Sequence, residues 1–287
     1  MRCVDNIREL TDVLTHKKQG SGIGFVPTMG YLHEGHLSLV KRAREENDLV
    51  VMSIYVNPTQ FGPGEDFDRY PRDLDRDKAL AEEAGVDILF LPRTEEIYTG
   101  TASVTLHVTE GVDVMCGKKR PGHFDGVVTI LTKLFHIVQP DHVYMGLKDA
   151  QQVAVVERLV KDYFFPLTIV RVPTMRESDG LAKSSRNVYL SIQEREEAPV
   201  LQHSLQRARK AIQQGARSGE EVISLVRETI ESGTSGVIDY IEVLSYPGLC
   251  PVEEWDGEII VALAVQYEKA RLIDNMIITV SEEDTHV

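Results

Sequence analysis

Apolar residues in the first 175 positions form short continuous runs separated by segments with helical spacing. A run such as Leu49 to Val56 is typical of a parallel strand buried on both faces, whereas apolar residues three and four apart indicate an amphipathic helix. The pattern predicts strands at 23–26, 49–56, 86–91, 143–145 and 167–172, and a more exposed, alternating strand at 104–108. It predicts helices at 4–18, 37–46, 127–138 and 153–163, and one ending near residue 85. This alternation predicts an α/β fold with a doubly wound parallel sheet.

The pattern changes in the last third of the chain. Two successive helices are predicted at about 193–214 and 219–232, and three strand-like runs follow at 238–244, 259–265 and 272–280. Helices followed by consecutive strands indicate a smaller C-terminal α+β domain. We therefore expect one domain over residues 1–175 and a second over residues 176–287.

The composition and charge of the chain argue against a nucleic-acid-binding protein, a zinc protein and a membrane protein. The chain has 287 residues, of which 42% are hydrophobic, and its net charge of -14 argues against a general nucleic-acid surface. Cys3, Cys116 and Cys250 lie far apart and match no zinc spacing, which favours a reducing compartment. With neither an apolar signal core at the N-terminus nor an apolar run of about 18 residues, we expect a cytoplasmic protein without a membrane span.

Two histidines follow the first predicted strand. Ile23 to Val26 is apolar, Pro27 and Gly30 end the run, and His33-Glu34-Gly35-His36 leads into the next helix. A strand-to-helix turn presents backbone N–H groups and a helix N-terminus to anions, so imidazoles placed there are suited to phosphate. His-x-x-His pairs are also common on ordinary surfaces, and the tetrapeptide alone leaves that alternative open.

Two further polar segments follow in the first half of the chain. Asn57 to Gly62 comes directly after the strand at 49–56, at the carboxyl end where open parallel sheets bind ligands. The segment from Asp66 to Asp77 is dense in charge. It is either a solvated loop with aspartates at the positive end of a helix or a source of a carboxylate for Mg²⁺.

Three more segments combine cations with glycine or hydroxyl groups. Arg120 to Gly126 contains Arg, His and two glycines before the helix at 127–138, which suits an anion site or a tight turn. Gly146 to Gln152 places Gly and then Lys after a strand, yet no Walker A or Gly-x-Gly-x-x-Gly motif is present. Lys183-Ser184-Ser185-Arg186 suits a polyphosphate, and a simple interdomain linker is its alternative.

A doubly wound sheet is expected to gather these segments at one edge. Two histidines, several cations and amide side chains there would suit a nucleoside triphosphate. No cysteine or serine has the partners needed for acyl-enzyme chemistry. Attack on an α-phosphorus requires charge stabilisation more than covalent help, which these residue types supply.

Five motifs, in this order, resemble the pantothenate synthetase family. They are Pro-Thr-Met-Gly with His-x-Gly-His at 27–36, Val-Asn-Pro-x-Gln-Phe at 56–61, Arg-Pro-Gly-His-Phe at 120–124, Gly-x-Lys-Asp-x-Gln-Gln at 146–152 and Ser-Ser-Arg-Asn at 184–187. The resemblance implies a Rossmann-like nucleotidyltransferase domain, a C-terminal lid domain and a homodimer. It also implies ATP-dependent condensation of pantoate with β-alanine through a pantoyl-adenylate, with release of pyrophosphate and AMP.

The resemblance further implies roles for individual residues. The expected catalytic groups are His36, His33, Lys148 and Arg186. The expected ATP site comprises Met29, Gly30, His33, His36, Gly146, Leu147, Lys148, Asp149, Met175, Lys183, Ser184, Ser185 and Arg186. Gln60 and Gln152 are expected to hold pantoate, with Asn57 nearby, and Gln60 also to help position β-alanine. Asp77 matches a position associated with Mg²⁺, whereas the resemblance leaves the roles of Arg120 and His123 open.

One position departs from the family pattern, and three other functions compete with the resemblance. Lys183 stands where many members have Met before Ser-Ser-Arg-Asn, which adds a cation to the expected phosphate loop. Another nucleotidyltransferase would share His-x-Gly-His but would need a second phosphate site instead of Gln60 and Gln152. A class I aminoacyl-tRNA synthetase would need a tRNA surface, which the acidic chain disfavours. A nucleotide sensor would need no amine pocket.

Overall fold

The computed structural model of the chain describes residues 1–17, 22–65 and 67–281. Lys18 of the first predicted helix and Asp66 of the charged segment therefore lie outside the described residues. The described residues form two compact units. The first unit contains 1–110, 120–147 and 155–173, and the second contains 111–119, 148–154 and the chain from Thr174 onward. The boundary expected at 175/176 stays a prediction about independently folding domains.

Helices and strands alternate through the first unit. In chain order the elements are β1 (Arg2–Val4), α1 (Ile7–Lys17), β2 (Ile23–Thr28), α2 (Glu34–Glu46), β3 (Leu49–Ile54), α3 (Leu74–Glu83), β4 (Ile88–Phe90), α4 (Thr94–Ile97), α5 (Met115–Lys119), α6 (His123–Val138), β5 (His142–Gly146), α7 (Ala150–Asp162) and β6 (Thr168–Val172). Short 3-10 helices occupy Pro58–Gln60 and Leu147–Asp149. Of these elements, α5 and the first turn of α7 belong to the second unit.

The six strands of the first unit form one parallel sheet in the order β1-β4-β3-β2-β5-β6. The chain runs outward from β2 through β3 to β4 and then returns to the other side of β2 with β5. This reversal is the topological switch point, where ligands bind at the carboxyl ends of the strands in open α/β sheets. The doubly wound parallel sheet predicted from the apolar runs is thereby confirmed.

The core of the first unit explains why its strands are almost continuously apolar. Five of the six β3 residues are buried, and Val26 of β2 and Met52 of β3 are fully inaccessible to solvent. Helix α2 packs on β2 and β5 through Leu39, Val40 and Ala43. Burial on both faces gives each strand the apolar character of a parallel sheet and leaves the polar segments after the strand ends.

The second unit contains a different sheet. After a 3-10 helix at Ser185–Tyr189 come α8 (Ile192–Glu197), α9 (Val200–Gln213), α10 (Gly219–Gly233), β7 (Val237–Ser245), β8 (Gly257–Gln266) and β9 (Arg271–Val280). The three strands are antiparallel in the order β7-β8-β9, and α9 and α10 pack on them around one apolar core. The smaller α+β architecture predicted for the C-terminal part is confirmed.

Three local predictions were wrong or incomplete. Residues 104–108 form no strand: Val104 is 83% exposed, and the Val108 N–H donates to the Asp125 carboxylate instead of to a neighbouring strand. Strand β1 was missed because three residues are too short for a hydrophobic period. The helix expected at 193–214 is divided into α8 and α9 at Pro199, whose ring cannot continue the preceding helix.

Candidate active site

The turn between β2 and α2 has a left-handed backbone. Gly30 has φ 82°, and a Cβ there would lie 2.8 Å from the Ile54 side chain, so only glycine fits without displacement. Tyr31 follows with φ 49°, an uncommon conformation for a residue with a side chain. These two residues turn the chain so that residues 33–36 begin helix α2.

Asp77 of α3 holds this turn. Its two carboxylate oxygens accept the N–H groups of Tyr31 and Leu32, each at 2.7 Å, and the side chain is 2% exposed. Burial raises the pKa of Asp77 above its ordinary value, although the two N–H groups act in the opposite direction. Because both oxygens bind backbone donors, Asp77 holds the turn in the structure, and its assignment to Mg²⁺ stays a prediction.

His33 and His36 cap the start of α2 and each other. The Gly35 N–H donates to His33 Nδ1 at 3.1 Å, and the His33 N–H donates to His36 Nδ1 at 3.3 Å. The two rings lie 4.1 Å apart between centroids. A backbone N–H can only donate, so both Nδ1 atoms are acceptors and the ring protons lie on Nε2. The turn therefore fixes two neutral imidazoles whose Nε2–H groups are donors, a chemistry suited to phosphate oxygens.

Gln60 lies at the end of the short helix after β3 and is 8% exposed. Its amide nitrogen donates to the Met29 sulfur at 3.1 Å, and its amide oxygen accepts from Asn57 Nδ2 at 3.2 Å. The structure thus brings together Met29 from the motif at 27–36 with Asn57 and Gln60 from the motif at 56–61, all three expected at the site.

Asn57 is saturated by protein partners. Its Nδ2 also donates to the Gly126 carbonyl at 3.1 Å, and its Oδ1 accepts from the Tyr98 hydroxyl at 2.7 Å and from Thr59. Burial raises the pKa of the Tyr98 phenol, which keeps this donor protonated. Tyr98 was missed in the sequence because nothing near it marks it as a partner of Asn57.

Arg120 and His123 also lie at Gln60. Arg120 pairs with Glu65 through two contacts of 2.7 and 2.6 Å, and His123 Nδ1 lies 2.8 Å from the Gln60 carbonyl oxygen. Glu65 was missed for the same reason as Tyr98: it stands in a polar loop, and only the fold places it beside Arg120.

The segment after β5 contains the next group of expected ATP residues. Strand β5 ends at Gly146, and Leu147–Asp149 forms a 3-10 turn before α7. In this turn Lys148 Nζ lies 3.5 Å from Asp149 Oδ1, and the Lys148 carbonyl accepts from Asn275 of β9 at 2.9 Å. The polar pair Asp274-Asn275 interrupts an apolar strand and is buried, and this interruption is the signal in the sequence that could have marked the two residues.

The two glutamines at the start of α7 have different surroundings. Gln151 is 4% exposed, and its amide group binds four backbone groups of residues 111–117. Gln152 is only partly buried. The resemblance selected Gln152 for pantoate, and the structure shows that its neighbour Gln151 has a structural role.

The segment that contains Met175 and Lys183 folds back on itself. The Lys183 N–H donates to the Met175 carbonyl at 2.9 Å, and Lys183 Nζ forms an ion pair with Glu177 at 2.8 Å. Arg176 at its base is bound by Asp274 through contacts of 2.7 and 2.9 Å. The extra cation at position 183 therefore has a carboxylate partner within the same loop.

The Ser-Ser-Arg motif begins the 3-10 helix at Ser185–Tyr189. The Ser184 hydroxyl accepts the Arg186 N–H at 3.2 Å, and Ser185 is 8% exposed. Hydroxyl capping sets the direction of the backbone at Arg186. The motif is therefore part of an ordered turn, which argues against the alternative of a simple linker.

The described residues contain neither a cluster of metal ligands nor a helix suited to cross a membrane. No group of three or more His, Cys, Asp or Glu side chains in these ranges is arranged to hold a metal ion. Among residues 1–17, 22–65 and 67–281, none of the helices combines the length and the apolar character that a membrane crossing requires.

Comparison with known proteins agrees with the motifs. The sequence model of the family described as pantoate-beta-alanine ligase matches residues 2–277. The chain is 58% identical over 289 residues to a pantothenate synthetase of Bacillus pumilus strain SAFR-032, covering 100% of both.

Solved structures give the same result. A pantothenate synthetase from Thermus thermophilus matches with a TM-score of 0.90 and 47% identity, covering 96% of this chain and 99% of that one. A pantoate-beta-alanine ligase from Francisella tularensis, solved with beta-gamma ATP and beta-alanine, matches with a TM-score of 0.80 and 35% identity, covering 96% and 97%. The chain therefore belongs to the pantoate–β-alanine ligase family and is an ATP-dependent ligase that condenses pantoate with β-alanine.

Proposed function

We propose that this ligase acts through a pantoyl-adenylate and that the Nε2–H groups of His33 and His36 stabilise the charge that develops on the α-phosphate. The mutual capping of the two histidines carries this proposal. It consumes both Nδ1 lone pairs and leaves each ring as an Nε2–H donor. Because these donors are fixed before the substrate arrives, they need not reorganise when charge develops in the transition state. This preorganisation is the main source of electrostatic catalysis.

The proposed chemistry has two displacements. A carboxylate oxygen of pantoate attacks the α-phosphorus of ATP, and the bond to the β-phosphate breaks to release pyrophosphate. The amine of β-alanine then attacks the acyl carbon, the bond to the adenylate oxygen breaks, and AMP leaves while the amine loses a proton to solvent. Each leaving group is an anion, so the protein's contribution is charge stabilisation and alignment.

Support for the remaining residues comes from motif and chemistry. We assign the nucleotide to Met29, Gly30, His33, His36, Gly146, Leu147, Lys148, Asp149, Met175 and Lys183 to Arg186, with Lys148 and Arg186 also catalytic. We assign pantoate to Gln60 and Gln152, and Gln60 also to β-alanine. Because Asn57 is saturated by protein groups, we propose that it acts by holding Gln60. The bound nucleotide and beta-alanine in the Francisella tularensis structure support this substrate pair.

Three further parts of the proposal rest on family resemblance. Mg²⁺ is proposed to arrive with ATP, bound by its phosphates; Asp77 stays the predicted protein ligand, although its hydrogen bonds favour the role of holding the turn. We also propose a homodimer, for which the mass measured in solution should be twice the chain's 32.2 kDa. The cytoplasmic location stays a prediction.

An isotope experiment tests the adenylate. Pantoate labelled with oxygen-18 in its carboxylate is expected to transfer one label to AMP, and AMP is expected to appear only when ATP, pantoate and β-alanine are all present. Exchange of labelled pyrophosphate into ATP should require pantoate but not β-alanine. Unlabelled AMP, or exchange that proceeds without pantoate, would exclude the pantoyl-adenylate.

A further inference from the structure

The backbone of Gln60 is held by two side chains from the start of α6. The Gln60 carbonyl oxygen lies 2.8 Å from His123 Nδ1 and accepts from Arg120 Nη2 at 3.3 Å. These donors stand about 60 residues away in the sequence and reach Gln60 only in the folded first unit. The support is therefore a product of tertiary structure.

Hydrogen bonding fixes the protonation state of His123 within this group. A carbonyl oxygen can only accept, so His123 Nδ1 carries a proton; a guanidinium can only donate, so Nε2, 3.0 Å from Arg120 Nη1, is an acceptor. His123 is thus a neutral imidazole with the tautomer opposite to that of His33 and His36. It is 9% exposed, and this buried ring connects a cation to the Gln60 backbone.

Arg120 is itself fixed by Glu65. The guanidinium Nε and Nη2 atoms donate to the two carboxylate oxygens at 2.7 and 2.6 Å, a bidentate pairing that sets both position and plane. Three partners therefore surround one guanidinium: the Glu65 carboxylate, the His123 ring and the Gln60 carbonyl. An Arg so committed is a rigid support, unlike a mobile surface cation.

The first turn of α6 packs directly against this backbone. A Cβ at Gly126 would lie 2.4 Å from the Thr59 carbonyl oxygen and 2.7 Å from Gln60 Cα, so the helix can approach only because residue 126 is glycine. The Gly126 carbonyl accepts from Asn57 on the same segment. The helix start and the Pro58–Gln60 turn are therefore closely packed and joined by a hydrogen bond.

The side chain of Gln60, by contrast, has an exchangeable partner. Its amide nitrogen donates to the thioether sulfur of Met29, a weak acceptor. A substrate hydroxyl or carboxylate is a better acceptor and can replace the sulfur without loss of a hydrogen bond. The main-chain carbonyl of Gln60 is held by two side chains, whereas its amide nitrogen has the weak Met29 acceptor to give up.

We propose that Arg120 and His123 are positioning residues that fix the Gln60 carbonyl and thereby aim its amide group at pantoate. Neither residue is proposed to contact a substrate. The inference rests on the proposed assignment of pantoate to Gln60. It assigns a function to the Arg-Pro-Gly-His-Phe motif that the resemblance left without one.

Two substitutions at His123 separate positioning from a merely structural role. In His123→Asn the side-chain amide nitrogen occupies the place of Nδ1 and can still donate to Gln60, whereas in His123→Gln it extends to the place of Nε2 and cannot. We expect His123→Gln to raise the KM for pantoate about 10-fold, less than the roughly 10²-fold loss of rate that a misplacement of about 1 Å can cause. We expect His123→Asn to restore most of the loss and both variants to keep the KM for ATP.

Glu65→Gln supplies a milder variant at a quarter-exposed position, and the chain offers a matched control. Arg171 and Glu157 form a second bidentate pair, with contacts of 2.6 and 2.8 Å and similar exposure, on β6 and α7. We expect Glu65→Gln to raise the KM for pantoate and Glu157→Gln to leave it unchanged, with similar losses of melting temperature. Equal effects of the two substitutions on that KM would overturn the inference.

A double-mutant cycle with Gln60→Ala distinguishes failure of the inference from failure of the proposed function. If Arg120 and His123 act through Gln60, His123→Gln should add little to the effect of Gln60→Ala. Additive effects, or a large effect of Gln60→Ala with none for His123→Gln and Glu65→Gln, would exclude positioning while keeping pantoate at Gln60. An unchanged pantoate KM in Gln60→Ala would instead remove Gln60 from the substrate site, and the inference with it.

Discussion

The His turn at residues 30–36 and the Gln60 segment at residues 57–65 both follow strands of the same parallel sheet, yet they are built in different ways. In the His turn, each histidine accepts a hydrogen bond from a residue two or three positions away. In the Gln60 segment, Gln60 forms hydrogen bonds with Met29, Arg120 and His123, which lie 31 to 63 positions away in the sequence. The histidine caps of the first arrangement lie within a short motif, whereas the supports of the second exist only after the sheet has formed.

The histidines show the consequence of this difference. Backbone N–H donors force the protons of His33 and His36 onto Nε2, while a carbonyl and a guanidinium force the proton of His123 onto Nδ1. The same type of side chain therefore has a proposed phosphate-donor role in one region and a proposed scaffold role in the other. The partners of the ring, more than its identity, determine which role it has.

The largest predicted effect separates capping from catalysis at His36. In His36→Asn, the amide oxygen takes the place of Nδ1 as acceptor for the His33 N–H, while the Nε2–H donor is lost. We expect turnover to fall by roughly 10²–10³-fold, as for loss of an oxyanion donor, with little change in melting temperature. Steady-state kinetics and thermal unfolding test this prediction. Wild-type turnover in this variant would remove His36 from the catalytic residues.

A smaller effect is predicted for Asp77, a long-range support of the His turn. Asp77→Asn keeps a single acceptor for the N–H groups of Tyr31 and Leu32, so one buried donor loses its partner, at a cost of about 1–3 kcal/mol in the free energy of unfolding. Asp73→Asn is the control, because Asn caps a helix as well as Asp does. Denaturant unfolding should distinguish the two variants.

The same variant also tests the metal hypothesis for this position. If Asp77 only holds the turn, the Mg²⁺ concentration for half-maximal activity should be the same in Asp77→Asn as in the wild type. A clear rise in that concentration would establish Asp77 as a metal ligand. In that case the His turn would depend on the fold for its chemistry as well as for its shape.

The smallest predicted effect concerns the pH dependence of stability at Glu65. Burial acts to raise the pKa of this carboxyl, but the hydrogen bonds and charge of Arg120 hold the pKa below its ordinary value of 4.5. The ionised form is therefore favoured in the folded state. Its contribution to stability is present above pH 4.5 and is lost as the pH falls through the lowered pKa.

Glu65→Gln removes this ionisation and gives the measurement. The difference in unfolding free energy between wild type and Glu65→Gln should be largest near neutral pH and shrink as the pH falls below 4.5. If the difference in unfolding free energy stays constant with pH, the size and packing of the Glu65 side chain, and not its charge, account for its contribution to stability.

Much of the fold could be predicted from the apolar pattern, because the buried positions of a strand or helix recur at regular intervals along the chain. Strands such as β3 are buried on both faces and read as continuous apolar runs, and largely apolar runs also marked the three long strands of the second unit. The exposed run at 104–108 failed as a prediction because alternation requires a neighbouring strand, which a sequence does not specify. Short β1 lacked any period at all.

The candidate site, like the fold, has features that could be predicted from the sequence and features that only the structure revealed. The sequence by itself placed the two histidines between a strand and a helix, and the resemblance indicated the family, its reaction and its candidate residues. Only the tertiary structure decided that Lys183 pairs with Glu177, that Asp77 binds the His turn and that Glu65, Arg120 and His123 support Gln60. Such contacts are made between residues far apart in the chain or by side chains with several alternative partners. Which partner is chosen depends on the backbone geometry that packing of the sheet and its helices imposes.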